Sequence, residues 1–421
     1  MNDFRMTTAK GGPWYEYYRR PCEICGKTGA CMIHEDGNRV VCIRQSSDIE
    51  WGKNSSLPGY LHYLKEQVSI PKEKISTEKD AKKLPSHSLN KVYSELIANS
   101  SLTKEHLAHL TGVTRQMNKE EIRARGYFSM PDKPWRVISE VAKKLGSEDH
   151  LIGTPGIYYR KKIGSGYYTL SGLPAIGIPS RNHMNEIVGV QWRVDSPVNN
   201  LSYTSIDETF SAELIEQPDV AQLKYKGKTI YEGKLPVGAK QTIKGKDGKA
   251  IGDVHISKGA KYIWLSSSRK ENGTSAGNPL PIHVSVPTSH LLKWKSGTPR
   301  FAETVWITEG GLKGDITIEK FAKFFKPHEL KEWGDTILSV PGVGAWRLLL
   351  PIMKEMGVKN VVIAYDMDMI ENIYVKDHLF NMVREFKNQH YNVRMSIWDE
   401  NVAKGIDDLT LKNYIPDIRT L

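Results

Sequence analysis

The sequence predicts an α+β chain of several domains: an N-terminal zinc ribbon, a helical segment, a β-rich segment, and a C-terminal α/β domain on a small parallel sheet. Three observations carry this prediction. All four cysteines lie between positions 22 and 42. From residue 304 onward, strand-like and helix-like stretches alternate, and acidic residues stand just past strand ends. Before that, residues 149–300 are rich in Gly, Pro and Tyr-Tyr pairs, which suits hairpins. At 421 residues the chain exceeds one small core and should hold two or three domains.

Composition narrows the function. Hydrophobic residues make up 39% and charged residues 25%, as in ordinary globular proteins. No stretch approaches the roughly 20 apolar residues of a membrane span. The N-terminal MNDFRMTTAKGG lacks the apolar core of a signal peptide, so a cytoplasmic protein is expected. Lys and Arg total 59 against 48 Asp and Glu, a formal charge of +11, and such a surface attracts polyanions. No basic amphipathic helix with an aromatic face is present, which argues against membrane-surface binding.

Residues 1–64 read as the ribbon. Cys22, Cys25, Cys31 and Cys42, spaced C-x2-C-x5-C-x10-C, form a metal site before they form disulfides. Cys22 and Cys25 share a tight turn with Gly26. Cys31 and Cys42 flank a hairpin, with Met32-Ile33-His34 and Arg39-Val40-Val41 as its arms and residues 35–38 as its turn. Four thiolates then meet one structural Zn²⁺, and His34 is the rival to Cys31. Arg19, Arg20, Arg39 and Arg44 surround this site. Trp14, Tyr15, Tyr17 and Tyr18 precede it and either stack on unpaired bases or pack the ribbon.

Residues 65–88, charged and poor in apolar groups, read as a linker. Residues 89–148 read as helical, with Thr103 as an N-cap and Leu107 and Leu110 on one face. Lys119, Arg123 and Arg125 read as a solvated helix face. In residues 149–300, Ala175-Ile176-Gly177-Ile178-Pro179 and Ile187-Val188-Gly189-Val190-Gln191-Trp192-Arg193 are strands joined by a turn at Asn182-His183. Lys261 to Ser268 is a later strand. The Gly- and Lys-rich stretch between them reads as solvated hairpin tips.

Residues 301–421 form the α/β domain. Strands are expected at 304–308, 336–340, 360–365 and 393–398, and helices follow the first three. Ligands of such sheets bind beyond the C-terminal strand ends. Glu309, Asp366 and Asp368 stand there, with Asp407 and Asp408 in a later loop. Carboxylates gathered this way repel unless a cation neutralises them. Hard oxygen donors suit Mg²⁺ or Mn²⁺, and such a centre serves phosphoryl transfer.

The ordered set Glu309-Gly310-Gly311-Leu312-Lys313-Gly314-Asp315, Val340-Pro341-Gly342-Val343, Asp366-Met367-Asp368 and Lys404-Gly405-Ile406-Asp407-Asp408 resembles the Toprim domain of bacterial-type DNA primases, in a divergent phage, plasmid and mobile-element branch. The resemblance implies that Glu309, Asp366 and Asp368 are the metal-binding and catalytic acids, with Asp407 beside them. An N-terminal zinc ribbon is the usual partner of such a domain. Residues 177–193 look like the primase segment preceding Toprim, and Lys261-Tyr262-Ile263-Trp264-Leu265-Ser266 is similar to its Lys-Tyr-x-Asn-Ser element. By that similarity Arg193 and Lys261 contact template or nucleotide phosphates, and Lys313 and Lys404, inside the matching motifs, join them. Two departures stand out. Met369-Ile370-Glu371-Asn372 replaces the Ala-Gly that follows the paired acids in housekeeping primases, and the zinc ligands lack the usual histidine.

The activity these features imply is RNA primer synthesis on single-stranded DNA from nucleoside triphosphates, serving replication of a mobile element. A Toprim nuclease and a non-catalytic DNA-binding replication factor are the alternatives. No GxxxxGK[ST] loop occurs, so any helicase is expected to come from another chain.

Overall fold

The computed structural model describes residues 4–7, 9, 12–18, 20–52, 55, 57–65, 67–68, 80–206, 209–277, 279–367 and 373–421. Asp368, Arg19, residues 369–372 and most of the expected linker lie outside them. The chain forms two compact units: Met1–Lys53, Leu57–Ser76 and Ser196–Lys261 make one, and Asn54–Ser56, Thr77–Asp195 and Tyr262–Leu421 the other. No helix among the described residues is long and apolar enough to cross a membrane.

The first unit begins with a six-stranded antiparallel sheet, ordered Phe4–Met6, Trp14–Tyr17, Met32–His34, Arg39–Cys42, Gly59–Tyr63, Glu50–Trp51. The expected hairpin forms, with Met32 opposite Val41 and Ile33 opposite Val40. Tyr17, Ile33 and Val40 are fully buried around the cysteines. Ser196–Lys261 adds two three-stranded antiparallel sheets over a separate core of Phe210, Leu223, Ile251, Val254 and Ile256. The lysine-rich stretch does turn hairpins. Lys226 and Gly227, both at positive φ (49° and 75°), join Val220–Tyr225 to Lys228–Lys234 in the two-residue turn that matches strand twist.

The second unit contains two sheets. In the first, Tyr262–Trp264, Ile187–Val194, Ala175–Arg181 and Phe128–Ser129 run antiparallel in that order. Arg193 pairs with Tyr262, so the chain leaves this sheet and re-enters it at facing positions. Val190, Trp192 and Val194 pack under helices Ser86–Ala98 and Pro134–Leu145. Thr103 caps helix Lys104–Thr111 by accepting from His106 N at 3.2 Å.

The second sheet has six strands, ordered His283–Ser285, Ile337–Val340, Thr304–Glu309, Asn360–Ile363, Asn392–Ile397, Asp417–Thr420. It is mixed rather than purely parallel. The four inner strands are parallel, and both edge strands are antiparallel. Strand alternation splits its core between two faces. Val305, Ile307, Val361, Ile363 and Leu338 pack against Trp346, Leu349 and Phe386. Trp306, Ile337 and Val362 pack against Ile318, Phe321 and Leu409. Burial on both faces makes the strand ends the open part of the sheet.

Candidate active site

The four cysteine sulfurs lie within 4.8 Å of one another. Cys25 and Cys31 are 3.7 Å apart, and Cys31 and Cys42 are 3.8 Å apart. Tetrahedral Zn–S bonds of about 2.3 Å place sulfurs about 3.8 Å apart, so the cluster fits one zinc ion. Backbone N–H groups of Arg44 and Gln45 point at Cys42 Sγ (3.4 and 3.3 Å), and Arg44 Nη1 lies 3.4 Å from Cys31 Sγ. Positive charge and N–H donors favour thiolate at each contact. His34 is engaged elsewhere, with Asp36 Oδ2 at 3.0 Å and Arg39 Nη2 at 2.8 Å, and is not among the clustered ligands. Trp14, Tyr15 and Tyr17 are core residues of the ribbon, while Tyr18 is exposed. Packing rather than base stacking accounts for the three buried rings. Arg20 pairs with Glu23 and Arg39 with Asp36.

In the second unit, Glu309 ends the Thr304–Glu309 strand, and the chain turns at Gly310 into helix Gly311–Phe324. Asp366 stands past the neighbouring Asn360–Ile363 strand. Lys313 Nζ donates to Asp366 Oδ1. The loop bearing Lys404 closes on this point, since Met367 N donates to Lys404 O at 3.1 Å. A Cβ on Gly405 would meet Asp407 Oδ1 at 2.8 Å, Lys313 Nζ at 3.1 Å and Asp366 Oδ1 at 3.2 Å. Glycine is therefore needed for close approach, not for its backbone angles (φ −108°). Asp407, 6% exposed, receives Arg115 Nη1 on Oδ2 at 3.4 Å. Burial lifts its carboxyl above the usual range, and Lys313 and Arg115 oppose that rise. Burial alone would lower the Lys313 ammonium, but Asp366, Asp407 and Glu309 together hold it above its ordinary value. The side chain of Lys404 is exposed. Two carboxylates around a glycine-sized gap, with Glu309 on the adjoining strand, form a hard-oxygen donor set that suits a divalent cation.

A buried network sets the helix after Glu309. Arg125 was expected in solvent, yet it is 3% exposed. Its Nε lies 3.2 Å from Asp315 Oδ1, and its Nη2 donates to Glu319 Oε1 at 2.6 Å. Arg181 N donates to His283 Nδ1 at 3.0 Å, which leaves Nε2–H to donate to Asp315 Oδ1 at 3.1 Å. Tyr127 Oη donates to Asp315 Oδ2 at 2.5 Å. Gly314 lets the helix seat closely, because a Cβ there would stand 2.4 Å from Ser339 Oγ. Arg115, Arg125 and His283 carried no sequence signal. Lys119 and Arg123 are exposed, as expected.

Gln191, Trp264, His283, Gly310, Gly311 and Val340 line a small cleft beside Glu309. Arg193 lies two residues from Gln191 and so on the same face of its strand. Its Nε is buried without a hydrogen-bond partner among the described residues. Lys261 is exposed just before the Tyr262–Trp264 strand. A larger cavity of about 1140 Å³ opens at the opposite strand ends, by Thr304, Asn360 and Asn392, where none of the candidate acids lies.

No protein-family model and no curated protein matches the chain. Among solved structures it is similar to the zinc-binding and RNA polymerase domains of the Aquifex aeolicus primase, at 11% identity over 99% of this chain and 81% of that one, with a TM-score of 0.40. The RNA polymerase domain of Mycobacterium tuberculosis primase DnaG matches at 11% identity, over 78% of this chain and 80% of that one, with a TM-score of 0.41. The primase fragment of the bacteriophage T7 primase-helicase protein matches at 11% identity, over 94% and 95%, with a TM-score of 0.30. TM-scores this low carry no argument, and the function is read from the residues of this chain.

Proposed function

We propose that the chain is a DNA primase with a Toprim catalytic domain, which copies single-stranded DNA into short RNA primers for replication of a mobile element. One observation carries the reading: Glu309, Asp366 and the Lys404–Asp408 loop gather at the C-terminal edge of parallel strands, beside the cleft that Gln191 lines. In this reading residues 1–64 hold the template with a structural zinc and residues 65–88 link the ribbon to the rest. Residues 89–148 and 149–300 handle template and nucleotide, and residues 301–421 perform the transfer in the cytoplasm, alongside a helicase from another chain.

Glu309, Asp366 and Asp368 would hold Mg²⁺ or Mn²⁺, with Asp407 as a further acid. The cation would supply charge that favours the attacking hydroxylate and steadies the leaving pyrophosphate. The protein's own groups orient the reactants. Arg193, with its buried unpaired Nε, receives a phosphate of template or nucleotide, and Lys261 and Lys404 add charge-assisted contacts.

The test is primer synthesis on mixed-sequence single-stranded DNA with Mg²⁺ or Mn²⁺ and labelled triphosphates. Short products from the wild type that vanish in Asp366→Asn and Glu309→Gln support a primase. Metal-dependent loss of the DNA itself moves the assignment to a nuclease. Binding without either reaction leaves a DNA-binding factor.

A further inference from the structure

We propose that the Lys313 ammonium stands in for one of two divalent cations at the acid cluster, so that the centre takes a single divalent cation. This rests on the reading above and concerns the same site. The first observation is contact: Lys313 Nζ donates directly to Asp366 Oδ1, and the two side chains are only 19% and 25% exposed. The second is shape. The Gly405 backbone leaves a gap ringed by Lys313 Nζ, Asp366 Oδ1 and Asp407 Oδ1, which a single methyl would overfill. The third is charge. Arg115 already meets Asp407 from the other side, so two of the clustered acids face cations built into the chain.

An ion bound to Asp366 Oδ1 would share that oxygen with an ammonium, and two positive charges at such separation repel in a half-buried setting. Coordination is thereby left to Glu309, Asp368 and the second oxygen of Asp366. The substitution is not neutral in function. Lys313 is tethered to the first turn of helix Gly311–Phe324, so its charge is in place before any nucleotide enters. An ammonium has three donors. One is spent on Asp366, and another is free to meet a phosphate oxygen brought to the cation.

The experiment counts Mn²⁺ bound to the zinc-loaded full chain by electron paramagnetic resonance, for wild type, Lys313→Met, Lys313→Arg and Asp366→Asn. Far-UV circular dichroism and zinc content confirm that each variant is folded. Wild type and Lys313→Arg should bind one Mn²⁺. Lys313→Met should bind two, or bind the first at least tenfold more tightly, and Asp366→Asn should lose the ion. Equal stoichiometry and affinity in wild type and Lys313→Met, whether one ion or two, overturns this inference and leaves the primase reading standing. Absence of Mn²⁺ from both overturns the metal centre and the primase reading with it.

Discussion

Replacing Arg125 by methionine tests how the catalytic helix is held. Methionine keeps most of the volume and removes the charge. Arg125, 3% exposed, faces Asp315 at 2% and Glu319 at 7%. Removing one partner of a buried ion pair costs about 3–5 kcal/mol, because the other charge stays desolvated. Here Asp315 keeps His283 and Tyr127, and Glu319 keeps Thr288 N at 2.7 Å, so the lower part of that range applies. The expected loss is about 3–4 kcal/mol at pH 7, a Tm drop on the order of 10 °C for a unit of this size. Urea unfolding followed by tryptophan fluorescence measures it. The pH dependence has a definite sign. Burial alone would raise the Asp315 carboxyl, but His283 and Arg125 overcome this and hold it well below the usual range. Such a group stabilises the fold above its unfolded value of about 3.9 and loses that effect as pH falls through the folded value. Without Arg125 the folded value rises, so the gap from wild type is full at pH 7 and narrows toward pH 4.5. Adding Asp315→Asn and Glu319→Gln to Arg125→Met should recover part of the loss, since no unpaired charge remains buried. A deficit under about 1 kcal/mol at pH 7, or one that grows in acid, would refute the assignment of Arg125 as their counter-charge.

Further outcomes follow from other sites. Cys31→Ala should take zinc from one ion per chain to none and melt the ribbon, read by metal analysis and proteolysis of the N-terminal 64 residues. Gly405→Ala should lower primer synthesis at least tenfold while leaving Tm nearly unchanged, because φ −108° suits any residue and only the close approach to Asp366 and Asp407 is lost; a fully active variant would contradict the crowding argument. Lys83 donates to Ala276 O at 2.7 Å, and burial lowers its ammonium to about 8. Between that value and the unfolded one of about 10.4, the unfolded chain binds more protons, so stability should rise from pH 8 to pH 10. Lys83→Met should remove this slope in pH-dependent urea titrations.

Some features were legible because they are local. Four cysteines with a C-x2-C turn announce their own chemistry, and inner parallel strands buried on both faces read as unbroken apolar runs such as Val305-Trp306-Ile307. The edge strands were not legible: Asp417–Thr420 is short, polar and largely exposed. Helix Pro327–Trp333 also went unread, since only Leu330 in it is buried. Arg125 shows the deeper limit. A cation on a charged helix looks solvated until distant Asp315 and Glu319 fold over it, and nothing within several residues encodes that meeting. Similarly, the spacing left His34 open as a zinc ligand, and only the hairpin geometry that commits it to Asp36 and Arg39 decides the matter.

The pairing of Arg193 with Tyr262 has a consequence for how the chain tolerates change. Everything from Ser196 to Lys261 departs and returns at facing rungs of one ladder, with its own core of Phe210, Leu223 and Ile256. Topologically it is an overgrown hairpin loop. Closing a loop costs entropy only as the logarithm of its length, so the parent sheet scarcely registers whether a few residues or several dozen lie between those rungs. That makes the junction a natural port, where a module can be enlarged, exchanged or trimmed to a short turn while the ladder on either side keeps its register.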